Sequence, residues 1–269
     1  SLNPFFRKDN HDKLTFSLAY AFSENYILPI SHDEVVHGKC SMINKMPGTY
    51  EEKFSGLRAF FGYMYAHPGK KLMFMGQEFA QFIEWNFAQQ LDWLLLDYDT
   101  HQKFFEFSKT LNHFYLDNRP LYEIEDSWEG FNWISNDDAS QNIISFVRTD
   151  KDKNSILVVC HFSPVERKGY RIGAPKRGVY TQLLNTESVR FGGKCPEEEV
   201  AFTTKNVACH GFTQSLLLPI PPLSITYYSV PKKNAPLPDS EKSARYNEKT
   251  GAKDGEPSSH SKKEGAIRE

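Results

Sequence analysis

The hydrophobic pattern of this 269-residue chain changes type near residue 120. Before that point, apolar residues spaced by three and four alternate with short apolar runs at residues 27–30 and 71–75. Helices that alternate with short strands are typical of a parallel α/β layer rather than of a helix bundle. After residue 120 the helical spacing disappears, and short β-type runs are separated by Gly, Pro, Asn and Asp. This second part predicts a separate antiparallel β-sandwich.

Helices are predicted at residues 12–22, 50–66 and 100–117. Thr49 and Glu52 form a capping-box signature at the start of the second helix. That helix should end at His67, because the proline that follows disfavours helical backbone geometry before it. In the second part, strands are predicted at residues 143–147, 156–162, 179–184, 215–218 and 224–230.

Composition limits the classes of partner. The formal net charge is −2, so the charge balance gives no reason to expect nucleic acid or an anionic membrane as a partner. No run of about 18 apolar residues is present, so no membrane-spanning helix is expected. The four cysteines form no CxxC pair, which favours a reduced, cytoplasmic protein. Residues 232–269 include 16 charged residues out of 38 and are predicted to be disordered.

The aromatic content of 14% has two interpretations, a well-filled core and a carbohydrate-binding surface. Trp85 and Trp93 are candidate platforms for sugar rings, although tryptophans also anchor loops. Trp133 lies in the β-rich part and is predicted to pack in the core. The adjacent Cys160 and His161 do not predict a metal site, because a strand context offers them no further ligands.

A cluster of polar residues follows the first apolar run. Residues 28–39 read LPISHDEVVHGK, which places His32, Asp33 and Glu34 directly after residues 27–30. Barrel enzymes present catalytic side chains on loops that follow buried strands in this way. The local pattern also allows a structural interpretation, in which Ser31 or Asp33 caps a short helix and His32 is a hydrogen-bonded structural histidine.

The wider sequence favours the catalytic interpretation. The chain carries, in this order, residues 28–39 and the segments 45–48 (KMPG), 53–58 (KFSGLR), 67–71 (HPGKK), 74–78 (FMGQE), 84–86 (EWN), 91–95 (LDWLL), 130–133 (GFNW), 159–164 (VCHFSP), 169–173 (GYRIG) and 219–223 (PIPPL). As a set, these segments closely resemble the carboxyl-terminal part of bacterial 1,4-α-glucan branching enzymes, members of the α-amylase clan. The resemblance covers roughly residues 1–231. The family usually has Asn at the position of His161.

The resemblance implies an α/β part followed by an all-β part. Residues 1–119 would be the end of a (β/α)8 barrel, with residues 27–30 and 71–75 as its seventh and eighth strands. Residues 120–231 would form the carboxyl-terminal β-sandwich domain, and residues 232–269 the tail.

The resemblance also implies roles for single residues. Asp33 would be the third catalytic carboxylate, which stabilises the transition state at the sugar where the chain is cut. His32 would contact the same sugar, and Glu34 belongs to the His-Asp-Glu form that favours the branching type within the clan. Apart from the resemblance, His37 and Lys39 lie in the same loop and are expected to line the cleft on proximity alone, and Trp85 is a candidate substrate contact as an aromatic platform. The clan's nucleophilic Asp and proton-donor Glu are not found in this sequence, so the chain alone is expected to be inactive.

The implied reaction transfers an α-1,4-linked oligoglucan to a 6-hydroxyl by a retaining double displacement. The expected partner is an α-glucan such as glycogen or amylose. No metal, other cofactor, nucleic acid or membrane is expected, and the oligomeric state stays open. Two alternatives remain: a non-catalytic glucan-binding or structural module, and another enzyme of the α-amylase clan.

Overall fold

The computed structural model describes residues 2–236. The predicted disordered tail lies outside the described residues, apart from its first five positions. The helices are α1 Asp12–Thr15, α2 Tyr50–Ala66 and α3 Asp99–Asp117. The strands are β1 Ile27–Ile30, β2 Lys70–Met73, β3 Phe131–Asp138, β4 Ile143–Thr149, β5 Ser155–His161, β6 Arg167–Gly173, β7 Val179–Asn185, β8 Ala201–Thr203, β9 Ser215–Ile220 and β10 Ser224–Ser229.

The two long helices form where the periodicity predicts them. Helix α2 begins with the full capping box, in which Thr49 and Glu52 each satisfy a backbone N–H of the other. It ends at Ala66, one residue before the His67–Pro68 step. The first predicted helix is shorter than expected: α1 gives way to a 3-10 helix at Phe16–Ala19. The aromatic residues within residues 12–22 have low helix propensity. Phe16, one of them, is 66% exposed, so packing does not compensate for its low propensity.

A six-stranded sheet organises the second part, with the strand order β3-β4-β5-β10-β7-β8. All of its recorded pairings are antiparallel, as the β-type runs predict. Strands β6 and β9 form a separate antiparallel pair. Three strands, β3, β6 and β8, lie outside the predicted runs. Strand β6 (RKGYRIG) has no apolar run, because most of its residues are charged or polar, so the sequence pattern does not predict it.

Both faces of the central strands are buried. In β4, Ile144 and Phe146 belong to one apolar cluster, whereas Ile143 and Val147 belong to a second. The second cluster also includes apolar residues of β6 and β9, so this strand pair covers one face of the large sheet. The first cluster includes side chains of α2 and α3. The sheet therefore has the β6–β9 pair on one face and the long helices on the other.

The helices and the sheet approach closely along α2. A Cβ on Gly62 would lie 2.8 Å from a methyl carbon of Thr186 and 3.0 Å from Ile225, so only glycine fits there. The hydroxyl of Tyr227 donates a hydrogen bond to the Gly62 carbonyl. A Cβ on Gly56, six residues earlier, would meet only Met46, at 3.5 Å. The sequence boundary predicted at residue 120 thus crosses a shared core.

Two buried arginines connect the same layers. Arg148 on β4 donates to the carbonyls of Ala66 at 2.7 Å, Gly130 at 3.1 Å and Ile124 at 3.2 Å. Arg58 on α2 is 1% exposed and pairs with the buried carboxylate of Glu187. Burial of a charged group is tolerated only when its hydrogen-bonding groups are satisfied, and these contacts satisfy them.

Candidate functional site

The polar cluster lies at one end of a small parallel sheet. Strands β1 and β2 pair in parallel, with Ile27 opposite Lys70 and Ile30 opposite Met73. Because the two carboxyl ends are level, the segments that follow them begin at the same edge of the sheet. The buried Gln77 joins these segments, since its side-chain amide donates to the Ile30 carbonyl at 3.3 Å. The register therefore positions His32–Glu34 beside the segment that follows β2.

A one-turn 3-10 helix, His32–Glu34, carries the central carboxylate. Ser31 caps it: the serine Oγ accepts the backbone N–H of Asp33 at 3.3 Å. The Asp33 side chain is 71% exposed, and its Oδ1 lies 3.4 Å from Nε2 of His32. The capping role considered for Ser31 is thus present, and it leaves the carboxylate of Asp33 at the surface, accessible to a ligand.

Two aromatic rings hold the His32 imidazole. Its ring centroid lies 6.0 Å from those of Phe74 and Trp85. Phe74 and Trp85 meet edge to face at 5.1 Å. The backbone N–H of Trp85 donates to the carbonyl of Val35 at 2.8 Å, which ties the tryptophan to the loop after Asp33. The imidazole therefore has a fixed wall on one side, while the His32 side chain stays 53% exposed.

The other predicted substrate-binding residues are exposed in the same loop. All three are at the surface: Glu34 ends the Asp33 helix, and His37 and Lys39 lie in the turn that follows and ends at Cys40. The turn is bound by Glu84, whose carboxylate accepts the backbone N–H of Gly38 at 3.0 Å and of Cys40 at 2.7 Å. These two hydrogen bonds, the Cys40 one foremost, lower the pKa of Glu84.

The remaining candidates lie elsewhere. Trp93 is half-exposed and packs on Phe79, with a centroid distance of 5.2 Å. Trp133 packs against Phe131 and Phe146, in agreement with its predicted core role. Within residues 2–236, no group of three or more His, Cys, Asp or Glu side chains is arranged to hold a metal ion. The helices of that same range include none long and apolar enough to cross a membrane.

His161 is fully buried at the end of β5. Its Nδ1 lies 2.7 Å from the carbonyl oxygen of Pro221, and a carbonyl only accepts, so Nδ1 carries the hydrogen. Desolvation lowers the pKa of His161 to about 4, and the carbonyl contact opposes this shift. The imidazole is therefore neutral at pH 7 and serves as a hydrogen-bonding residue of the sheet.

A cavity of about 520 Å³ lies between the first turn of α2 and the β-rich part. Glu51, Gln182, Pro221 and Tyr228 are among its lining residues, and Asp33 is not. The Asp33 site is separate from this cavity.

The exposed Asp33 site can bind sugar hydroxyls. A carboxylate and an adjacent imidazole can together accept hydrogen bonds from these hydroxyls and donate hydrogen bonds to them. One carboxylate cannot, however, serve as both nucleophile and proton donor of a retaining reaction.

Sequence reasoning missed the role of Glu84 in this arrangement. The residue lies 44 positions after Cys40, and no local pattern links a carboxylate to backbone N–H groups at that distance. The only available signal is the segment 84–86 (EWN), which belongs to the family resemblance. Trp85 of that segment is the residue that contacts His32.

Comparisons with known proteins show what the chain is similar to. Residues 133–231 match the model of the family described as "Alpha amylase, C-terminal all-beta domain". The 1,4-alpha-glucan branching enzyme of Aquifex aeolicus is 49% identical over 228 residues, which cover 84% of this chain and 36% of that enzyme. The enzyme of the same name from Halothermothrix orenii is 46% identical over 228 residues, with the same coverage. That of Oceanobacillus iheyensis is 42% identical over 233 residues, 86% of this chain and 37% of the relative.

The chain thus spans little more than a third of the length of the curated relatives it matches. The match extends well beyond the β-rich family domain, since it covers more than four fifths of this chain. The matched residues include strands β4–β10 and most of β3, so the six-stranded sheet and the β6–β9 pair together form the all-β domain of that family. The chain corresponds in sequence to the carboxyl-terminal part of the bacterial 1,4-α-glucan branching enzymes.

Proposed function

We propose that this chain is the carboxyl-terminal part of an enzyme that introduces α-1,6 branches into α-glucans. The enzyme would cut an α-1,4 bond, hold the oligoglucan covalently, and transfer it to a 6-hydroxyl with retention of configuration. The identity of 42–49% to proteins named as branching enzymes, over more than four fifths of this chain, is the observation that carries the proposal.

In this proposal Asp33 stabilises the transition state. A carboxylate that binds the hydroxyls of a distorted sugar accelerates the reaction only if these bonds strengthen in the transition state. The exposure of Asp33 and the proximity of His32 support this role, because both groups are accessible to one sugar unit. Glu34, His37, Lys39 and Trp85 would complete the contacts with the glucan.

We further propose that β1 and β2 are the seventh and eighth strands of a (β/α)8 barrel within residues 1–119. Three observations support this: the parallel pairing, the level carboxyl ends, and the alternation of exposed and half-buried residues along both strands. Leu28, Ile30 and Met73 pack against the apolar cluster that α2 shares, whereas Ile27 is 60% exposed and Leu72 is 43% exposed. Barrel strands have one face toward the helices and the other toward the barrel interior.

The partner would be an α-glucan such as glycogen or amylose, and neither metal nor other cofactor is assigned a role. We place the activity in the cytoplasm, where thiols stay reduced. The presence of Cys40, Cys160, Cys195 and Cys209 as free thiols is compatible with that location.

The second candidate is a non-catalytic glucan-binding module. The exposed aromatic side chains favour it, among them Trp93 at 50% and Phe87 at 87% exposure, because sugar rings stack on such surfaces. Binding through such rings would not depend on Asp33, which separates the two candidates.

The test is a branching assay on the longest natural chain that carries this sequence. Purified protein is incubated with amylose, and α-1,6 linkages are counted by proton NMR and by debranching. We expect new α-1,6 linkages from that chain and none from the 269-residue chain alone. Amylose that binds but gains no branches would favour the non-catalytic module. Branching by the 269-residue chain would refute the expectation that the nucleophile and the proton donor lie outside this sequence.

A further inference from the structure

The carboxylate of Glu84 is hydrogen-bonded to the backbone of the turn at residues 37–40, which follows the Asp33 helix. Each carboxylate oxygen accepts one backbone N–H: Oε2 that of Gly38 at 3.0 Å, and Oε1 that of Cys40 at 2.7 Å. Nδ1 of His37 lies 3.4 Å from Oε2. Hydrogen bonds to an ionised acceptor are about twice as strong as those between neutral groups.

The turn needs such a partner. Gly38 has a φ of +82° and Cys40 a φ of +64°. The left-handed region suits glycine, but it is unfavourable for a residue with a Cβ and persists only where surrounding contacts impose it. Cys40 is exposed, so side-chain packing cannot impose this conformation, whereas the Glu84 bond acts on its backbone directly.

The neighbouring residue acts on the other end of the same loop. Trp85 donates its backbone N–H to Val35 at 2.8 Å and places its ring against His32. Lys45 donates to the carbonyl of Lys39 at 2.6 Å. Trp85 therefore holds the loop at Val35, before His37, and Glu84 holds it at Gly38 and Cys40, on either side of Lys39.

We infer that Glu84 is a positioning residue for the glucan site: its carboxylate shapes the turn at residues 37–40 and so fixes where His37 and Lys39 meet the substrate. Both of its oxygens are engaged by the turn, so Glu84 acts through these residues rather than by contact with the reacting sugar. The inference rests on the proposed function, since it assigns the turn to glucan binding.

Substitutions at Glu84 follow from the geometry. In Glu84→Gln, the remaining amide oxygen can replace one carboxylate oxygen as the acceptor of one backbone N–H. The amide NH2 replaces the other oxygen and is a donor, so the second backbone N–H loses its acceptor. Glu84→Ala removes both acceptors. Glu51→Gln is the matched control, because Glu51 is an exposed carboxylate in the first turn of α2, outside the loop.

The first measurement is amide hydrogen exchange of the 269-residue chain by NMR. We expect the protection of Gly38 and Cys40 to fall about tenfold or more in Glu84→Ala, the loss expected when a bond to a charged acceptor is removed. Glu84→Gln should lower it less, and Glu51→Gln should leave it unchanged. The protection of α2 amides should stay the same in all variants. Unchanged protection of Gly38 and Cys40 in Glu84→Ala would overturn the inference.

The second measurement is amylose branching by the longest natural chain. We expect the KM of Glu84→Gln to rise about tenfold at an unchanged urea midpoint, because the misplaced residues are binding residues. Loss of amide protection with an unchanged KM would overturn the positioning role and leave the proposed function intact. A wild-type chain that makes no branches would instead refute the proposed function, while the exchange data still decide whether Glu84 shapes the turn.

Discussion

Replacement of Arg58 by methionine should destabilise the whole described fold, because this side chain joins α2 to the β-rich part. Its Nε and Nη1 donate to the carbonyls of Thr186 at 2.8 Å and Phe191 at 3.1 Å, and its Nη2 binds the carboxylate of Glu187. Glu187 is only 4% exposed, so the substitution leaves a buried carboxylate without its cation. Removal of one partner from a buried ion pair costs about 3–5 kcal/mol.

The assay is urea denaturation of the 269-residue chain, followed by tryptophan fluorescence and far-UV circular dichroism. Arg58→Met should lower the free energy of unfolding by about 3–5 kcal/mol, and a further Glu187→Gln change should restore about 1–3 kcal/mol by removing the unpaired charge. Arg190→Met is the control: Arg190 is 43% exposed in its pair with Glu106, and such pairs contribute at most about 1 kcal/mol. If Arg58→Met cost no more than Arg190→Met, the two parts would not be joined through this contact.

Two further predictions concern packing and pH. Gly62→Ala should destabilise the chain by about 1–3 kcal/mol through its clash with Thr186, whereas Gly56→Ala on the same helix should stabilise it by about 0.5–1 kcal/mol through helix propensity; urea midpoints that move in the same direction would contradict this. The pKa of His161 is about 4 in the fold, below its ordinary value of about 6.5, so the unfolded chain binds more protons between these limits and stability should fall as pH drops from 6.5 to 4. His161→Asn keeps a side-chain donor toward the Pro221 carbonyl but cannot titrate. It should lower the slope of unfolding free energy against pH between pH 4 and 6.5 by the equivalent of up to about one proton, and an unchanged slope would disprove the lowered pKa of His161.

Local sequence signals account for much of the fold. The capping box at Thr49, the proline after His67 and the three-and-four spacing of apolar residues predict α2 and α3 within a residue or two. These signals are short-range, because a helix satisfies its own backbone. The central strands β4, β5 and β10 are also predicted, since their apolar runs are long enough to bury two faces.

The missed strands and the shared core depend on distant partners. The polar strand β6 is a strand only because β9 pairs with it. Nothing in the residues of β6 itself indicates that a distant segment will be its partner. Likewise, Gly62 looks like a weak position in a helix until β10 is packed against it. At the candidate site, Ser31 and Asp33 could be read from one short segment, whereas the Glu84 contact joins segments more than 40 residues apart.

The substitution Asp33→Asn in the longest natural chain that carries this sequence tests the catalytic assignment most directly. The measurement is the rate of α-1,6 linkage formation together with glucan affinity, and the control is Asp99→Asn, an exposed carboxylate at the start of α3. A contact made mainly in the transition state predicts a loss of turnover of about hundredfold or more, with a much smaller change in glucan binding. A loss of less than about tenfold would contradict the role of Asp33, because even one modest transition-state hydrogen bond exceeds that value.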